Sequence, residues 1–276
     1  MKLTVYGSRG SIPFFSRESA GYGGNTSCFK LETPGNTVIF DCGSGLLQYD
    51  KELAGRTEPV KIDILLSHLH LDHTIGLTMF RPLFAPDSHI RVFTKSRDGR
   101  PLREQIFGSF APPYWPLDFS ALARAECVAV GSEPFYLNGG ARVSTLAAEH
   151  PDGTLSYRVD AMGADGRAGK SFVYLLDYEV RHKPELYGPL VEFVRDADCM
   201  VFDSCYLPAD YPAKADWGHS TYEAGLRLAR DANCKMTVLA HWSHDYNDAA
   251  LNGVGEIVKK SDVLCRVAYD GMQVEL

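Results

Sequence analysis

The sequence predicts an α/β protein, a layered sandwich of strands and helices, and three observations predict it. Short β-rich runs dominate the N-terminal part, helix and strand alternate through the last third, and no repeat, low-complexity tract or linker divides the chain. One domain over residues 1–276 is therefore expected. With 45% hydrophobic and 23% charged residues, the composition is globular and excludes a disordered or fibrous chain.

The elements follow in order. Residues 3–6, 27–32 and 37–41 read as strands, the last two joined by the turn Thr33-Pro34-Gly35-Asn36. Residues 44–53 read as a short helix, and the mostly apolar run 62–67 as a buried strand. The stretch 97–130 is rich in Pro, Phe and Tyr and has only weak periodicity. Within it, 107–119, with Pro112, Pro113 and Pro116, reads as an ordered loop beside a cleft. Its Phe107, Phe110, Tyr114, Trp115 and Phe119 suit ring stacking and ordinary packing equally. Strand-like runs resume at 141–147, 155–159, 171–176 and 200–202. Residues 221–232 are helical by their apolar spacing, 235–240 a strand, 248–260 a helix and 263–267 a strand.

Charge and cysteines exclude several functions. Twenty-eight Lys and Arg against 35 Asp and Glu leave −7, a poor surface for general nucleic-acid binding. A phosphate-bearing substrate stays compatible if a metal supplies local positive charge. Seven cysteines, an odd number at irregular spacings without a Cys-x-x-Cys pair, argue against a disulfide framework and for a reducing compartment, the cytoplasm. No apolar run approaches the roughly 20 residues of a membrane-spanning helix. The opening Met1–Gly7 reads as a strand rather than a secretory signal.

The strongest chemical signal is Ser67-His68-Leu69-His70-Leu71-Asp72-His73, directly after the apolar strand. Residues two apart share a face as the chain leaves a strand, and the next pair falls on the following turn, so four ligand-type side chains can meet. Imidazole and carboxylate suit zinc, and also manganese or iron. Three of the chain's nine histidines beside one Asp make a coincidental polar loop a poor account.

His-x-His-x-Asp-His after a strand resembles the signature of the metallo-β-lactamase fold, a superfamily of mostly dinuclear metallohydrolases, and the resemblance runs along nearly the whole chain. It implies a four-layer αβ/βα sandwich, two mixed β-sheets flanked by helices. Asp41-Cys42-Gly43 resembles the first motif, whose Asp supports the metal loop from behind. By the resemblance, His68, His70 and His150 hold one metal, Asp72, His73 and His241 the other, and Asp177 is shared. Taken alone, His150 before Pro151 reads as a turn residue, Asp177 as a strand-end carboxylate and His241 as a core-edge histidine. Asp203, which also ends an apolar strand, is the rival bridging carboxylate. The implied cofactors are two divalent ions, zinc first and manganese or iron as alternatives. Two cations held close lower the pKa of water and neutralise developing charge, so hydrolysis follows. His70 stands where the redox-active diiron branch has Glu.

Asp203-Ser204-Cys205-Tyr206 and Gly218-His219-Ser220-Thr221 resemble the branch containing the tRNA 3′-processing endonuclease (tRNase Z) and small-molecule phosphodiesterases. The resemblance implies that Asp203 orients and charge-balances His219, which protonates the leaving alkoxide, with Asp72 in the catalytic set beside them. Ser220 or Thr221 also reads as a helix N-cap, with Glu223 completing a capping box. The glycine-rich stretches 7–13 and 22–27 resemble the branch's openings and are expected to be structural. Members acting on tRNA carry a protruding arm, commonly between the third histidine and the bridging Asp. The 27 residues from His150 to Asp177, already taken up by the strand-like runs 155–159 and 171–176 and a glycine-rich turn at 163–169, leave no room for one.

The expected function is therefore hydrolysis of a small phosphodiester, such as a cyclic nucleotide, with nucleic acid less favoured, no membrane partner, and a homodimer as in much of the branch. The alternatives are a tRNA 3′-processing endonuclease, and a carboxylic-ester, thioester or lactone hydrolase. A non-catalytic metal-binding sensor ranks last.

Overall fold

In the computed structural model, described for all residues except 149, 152, 163–167 and 181–183, two seven-stranded sheets pack face to face. The first contains β1 (Lys2–Gly7), β2 (Cys28–Thr33), β3 (Asn36–Phe40), β4 (Lys61–Leu65), β5 (His89–Thr94), β6 (Glu126–Ala129) and β14 (Gln273–Glu275), in the order β14-β1-β2-β3-β4-β5-β6. The second contains β7 (Phe135–Tyr136), β8 (Arg142–Ala148), β9 (Thr154–Met162), β10 (Ala168–Leu175), β11 (Cys199–Asp203), β12 (Thr237–Ala240) and β13 (Cys265–Val267), in the order β13-β12-β11-β10-β9-β8-β7.

Each sheet is mixed. β3 to β6 pair in parallel and so do β10 to β13, while the hairpin-linked strands pair antiparallel. Parallel strands are covered on both faces, which is why 199–202 reads as a continuous apolar run and 62–66 is apolar apart from Asp63, which is buried and paired with Arg91. Between the sheets lie Val5, Phe29, Phe40, Tyr157, Phe172, Tyr174 and Val201. The helix α1 (Leu46–Glu52), α3 (Leu102–Phe107) and the short α4 (Phe119–Leu122) cover the first sheet. The helices α5 (Pro184–Val194), α6 (Tyr222–Asp231) and α7 (Asp248–Val258) cover the second. The layers are helices, sheet, sheet, helices, as the resemblance implies.

The sequence reading omits β5, β6, β7 and β14 and the helices α3, α4 and α5. β6, β7 and β14 are short, and α5 holds Pro184 and Pro189. Pro189 lies on the exposed side of its helix, where water can satisfy the carbonyl its ring leaves unpaired. The stretch 107–119 is largely an exposed loop, anchored by buried Phe107, Phe110 and Phe119; Trp115 meets Phe110 and Phe119 edge-to-face, and Tyr114 and Leu117 are exposed. The glycine-rich turn expected at 163–169 falls largely outside the described residues. All seven cysteines are unpaired, and no helix among the described residues is long and apolar enough to cross a membrane.

Strand direction gathers the functional loops on one side. β1 runs with β3, and β8 with β10, because each pair is separated by one strand antiparallel to both. The C-terminal ends of β1, β3, β4, β8, β10, β11 and β12 therefore open onto one edge of the sandwich.

Candidate metal centre

At that edge the structure brings together all nine residues singled out in the sequence. His68 and His70 follow β4, Asp72 and His73 sit on the single turn α2 (Leu71–Thr74), and His150 follows β8. Asp177 follows β10, Asp203 ends β11, and His241 follows β12. His219 precedes α6, whose N-cap is Thr221, its hydroxyl accepting from the Ala224 N–H. Asp41, Asp177 and His241 adopt left-handed backbone at φ 53°, 51° and 66°. Non-glycine residues rarely do so, and the turn this forces aims each side chain back across the sheet edge.

Among the overlapping groups of ligand-type atoms that result, two match the sets expected from the sequence. His68 Nε2, His70 Nδ1 and His150 Nε2 converge with Asp177 Oδ1: His68 to His70 is 2.7 Å, His150 to His70 3.3 Å, and Asp177 Oδ1 lies 3.7 and 3.4 Å from His68 and His150. Asp72 Oδ2, His73 Nε2 and His241 Nε2 form the second. His73 to His241 is 3.3 Å, and Asp72 lies 3.2 Å from His73 and 3.5 Å from His241. Asp177 Oδ2 meets this group at 3.0 Å from His73 and 3.1 Å from His241. Atoms about 2.0–2.1 Å from a common tetrahedral ion stand about 3.3 Å apart, so most of these separations are ligand-to-ligand edges. Asp177, not Asp203, offers one oxygen to each group.

The electrostatics fit cations. Asp177 Oδ2 is buried without a hydrogen bond of good geometry, a costly arrangement unless positive charge faces it. Burial favours the neutral imidazole of His68, His70 and His150, the form that binds metal. In the second group burial pushes down the pKa of His73, but Asp177, Asp72 and Asp41 together raise it well above the usual value. Burial pushes the Asp72 and Asp177 carboxyls up, and neighbouring histidines outweigh it and hold both low. Such a position favours a cation, whether a proton or a metal ion.

An outer ring of contacts fixes the imidazoles. Asp41 accepts from the Ser67 N–H (2.7 Å), the Ser67 hydroxyl, the Tyr174 hydroxyl (2.7 Å) and His73 Nδ1 (2.7 Å). Ser67 Oγ lies 3.0 Å from His68 Nδ1, and His150 Nδ1 donates to the Gly218 carbonyl at 3.1 Å. Each of these bonds occupies the nitrogen away from the cluster and leaves the other to ligate. The Ser11 N–H donates to Asp72 Oδ2 at 2.8 Å.

Of these supports the sequence assigns a supporting role only to Asp41. Ser67, Ser11 and Gly218 lie in stretches it singles out without that role, and Tyr174 gives no signal, because tertiary packing alone brings it there. The stretch 7–13 is structural in a specific way: Gly10 lies so near His241 that a Cβ would stand 2.4 Å from the ring. Gly10→Ala is expected to cost about 1–3 kcal/mol by overpacking against a fixed ring, read from urea denaturation.

The Asp203–His219 pair adjoins both groups. His219 Nδ1 donates to Asp203 Oδ2 at 2.9 Å, while Asp203 Oδ1 accepts from the Cys205 and Ser220 N–H groups. The His219 ring stacks on His241 at 5.0 Å and meets the edge of His150 at 5.2 Å. Burial lowers its pKa, but the charge and hydrogen bond of Asp203, with Asp177 and Asp72 behind, carry it up to about 9. His244 faces Phe14 away from both groups, His89 lies on β5, and His182 falls outside the described residues.

A ribonuclease Z of Kineococcus radiotolerans is 26% identical over 284 aligned positions, covering 90% of this chain and 85% of that one. Among solved structures, the metallo-β-lactamase fold protein YhfI of Bacillus subtilis superposes with a TM-score of 0.71 at 19% identity, over 100% of this chain and 98% of its own. A diphosphatase of the PhnP family gives 0.69 at 21%, over 100% and 97%. Both superpositions establish the fold. Residues 36–242 match the family described as a beta-lactamase superfamily domain. The chain thus belongs to the beta-lactamase superfamily, as a metal-dependent hydrolase of the metallo-β-lactamase fold.

Proposed function

We propose that this protein hydrolyses phosphodiesters at a dinuclear centre, with His219 as the proton donor to the leaving oxygen. His68, His70, His150 and Asp177 would hold one ion, and Asp72, His73, His241 and Asp177 the other. Divalent ions there, zinc first by ligand chemistry, would supply a water of lowered pKa and positive charge for the phosphoryl oxygens. Asp203 keeps His219 charged and aims it by fixing Nδ1, which leaves Nε2 to give up the proton. The carrying observation is this buried acid–histidine pair packed on one histidine from each group, because an alkoxide leaves phosphorus poorly unless protonated.

The relatives named ribonuclease Z favour an RNA substrate, one of the alternatives drawn from the sequence, over the small phosphodiester placed first. One observation supports the small substrate. The alignment with the Kineococcus relative spans 284 positions although it uses only 90% of this chain, so that relative carries a few tens of residues where this chain has none.

The test is turnover by the metal-loaded protein of three substrates: a precursor tRNA with a 3′ trailer, a cyclic nucleotide and bis(p-nitrophenyl) phosphate. Cleavage lost to chelation and restored by zinc or manganese is expected. Faster turnover of the precursor supports the RNA reading, and the reverse supports the small substrate. Preference for lactones, thioesters or β-lactams would sink both.

A further inference from the structure

The segment after Asp177 and the loop carrying His219 are stitched together by contacts that the proposed chemistry does not use. Glu179, buried between β10 and α5, accepts three hydrogen bonds from that loop: from the Gly218 N–H at 3.1 Å, the Asp216 N–H at 2.9 Å and the Tyr211 hydroxyl at 2.8 Å. The Ser220 hydroxyl donates to the Tyr178 carbonyl at 2.6 Å, and its oxygen accepts from the Val180 N–H at 2.8 Å. Gly218 sits at φ +89°, and a Cβ there would stand 2.3 Å from His150 Nδ1, so only glycine lets the backbone pass this close to that ring. Its carbonyl takes the His150 proton while its N–H is held by Glu179, and His219 is the next residue.

We infer that Glu179 is a positioning residue for proton donation: it fixes the Gly218 peptide and so the placing of His219 over the reacting oxygen. This rests on the general-acid reading of His219. Three donors converge on one carboxylate that has no donor of its own, so the loop has one well-satisfied setting. A glutamine would turn an N–H₂ toward at least one of them, and an alanine would remove all three bonds. A donor displaced by about 1 Å loses about 100-fold where its proton is needed and little where it is not.

The experiment compares wild type, Glu179→Gln, Glu179→Ala, Tyr211→Phe and His219→Ala, all metal-loaded with content measured, on two phosphodiesters. Bis(p-nitrophenyl) phosphate releases a phenolate that departs unaided, whereas a dinucleoside phosphate releases an alkoxide that needs a proton. Glu179→Gln is expected to lose about 10-fold and Glu179→Ala about 100-fold in kcat on the dinucleoside phosphate. Both should lose under about 3-fold on the aryl ester at unchanged metal content. Tyr211→Phe, which removes one donor far from the ligands, should show the same selectivity at smaller size. Equal losses on both substrates, or losses that follow metal content, would overturn the inference, as would no loss on either. If His219→Ala shows the selectivity and the Glu179 variants do not, the inference alone fails. If His219→Ala lacks it too, the general-acid reading fails and takes the inference with it.

Discussion

Asp177→Asn is expected to abolish turnover, with activity down by about three orders of magnitude or more and metal affinity down by over about 100-fold. The size follows from position. Asp177 alone places one carboxylate oxygen in each group, at 3.4 Å from His150 and at 3.0–3.1 Å from His73 and His241. Loss of an outer partner of a metal ligand already costs about 10–100-fold in affinity, so loss of charge from a residue shared by both groups should cost more. Asparagine is the informative replacement because it keeps the volume and tolerates the left-handed backbone at φ 51°, which alanine would strain. Elemental analysis of the purified variant, with circular dichroism to confirm folding, checks the claim. Near-normal metal content with near-normal turnover would remove Asp177 from the centre.

His219→Ala is expected to keep its metal and lose about 10²–10⁴-fold on substrates with alkoxide leaving groups. The pH profile carries the sign. His219 donates only while protonated, so turnover of an alkoxide ester should fall as pH rises through its pKa. Burial lowers that pKa, and Asp203 outweighs burial and raises it to about 9. Positive charge in the adjoining groups would bring it back toward neutrality. Asp203→Asn should move the alkaline limb to lower pH, and His219→Ala should erase it. A limb that persists unchanged in the alanine variant would assign it to another group.

The candidate metal-binding residues were legible because their signal is local or ordinal. His68 to His73 fall within six residues, and His150, Asp177 and His241 follow strand-like runs in the order the resemblance implies. The short strands β6, β7 and β14 were not legible, because they are held by ladder partners rather than by their own pattern. The aromatics at 107–119 show the same limit: composition suits a stacking wall or a core, and packing against the first sheet makes most of them core.

By itself the sequence determined the fold class and the metallohydrolase chemistry, and through its resemblance to a known branch it implied the pairing of Asp203 with His219, because motifs and their order along the chain carry those. Only the tertiary structure decided that Asp177 rather than Asp203 faces both groups. It alone showed that Ser11, Tyr174 and Gly218 hold the ligands, and that Glu179 fastens the His219 loop. The reason is physical: side-chain direction at a strand end depends on the backbone turn that follows, and these contacts join residues up to 133 positions apart, a distance at which sequence pattern carries no information.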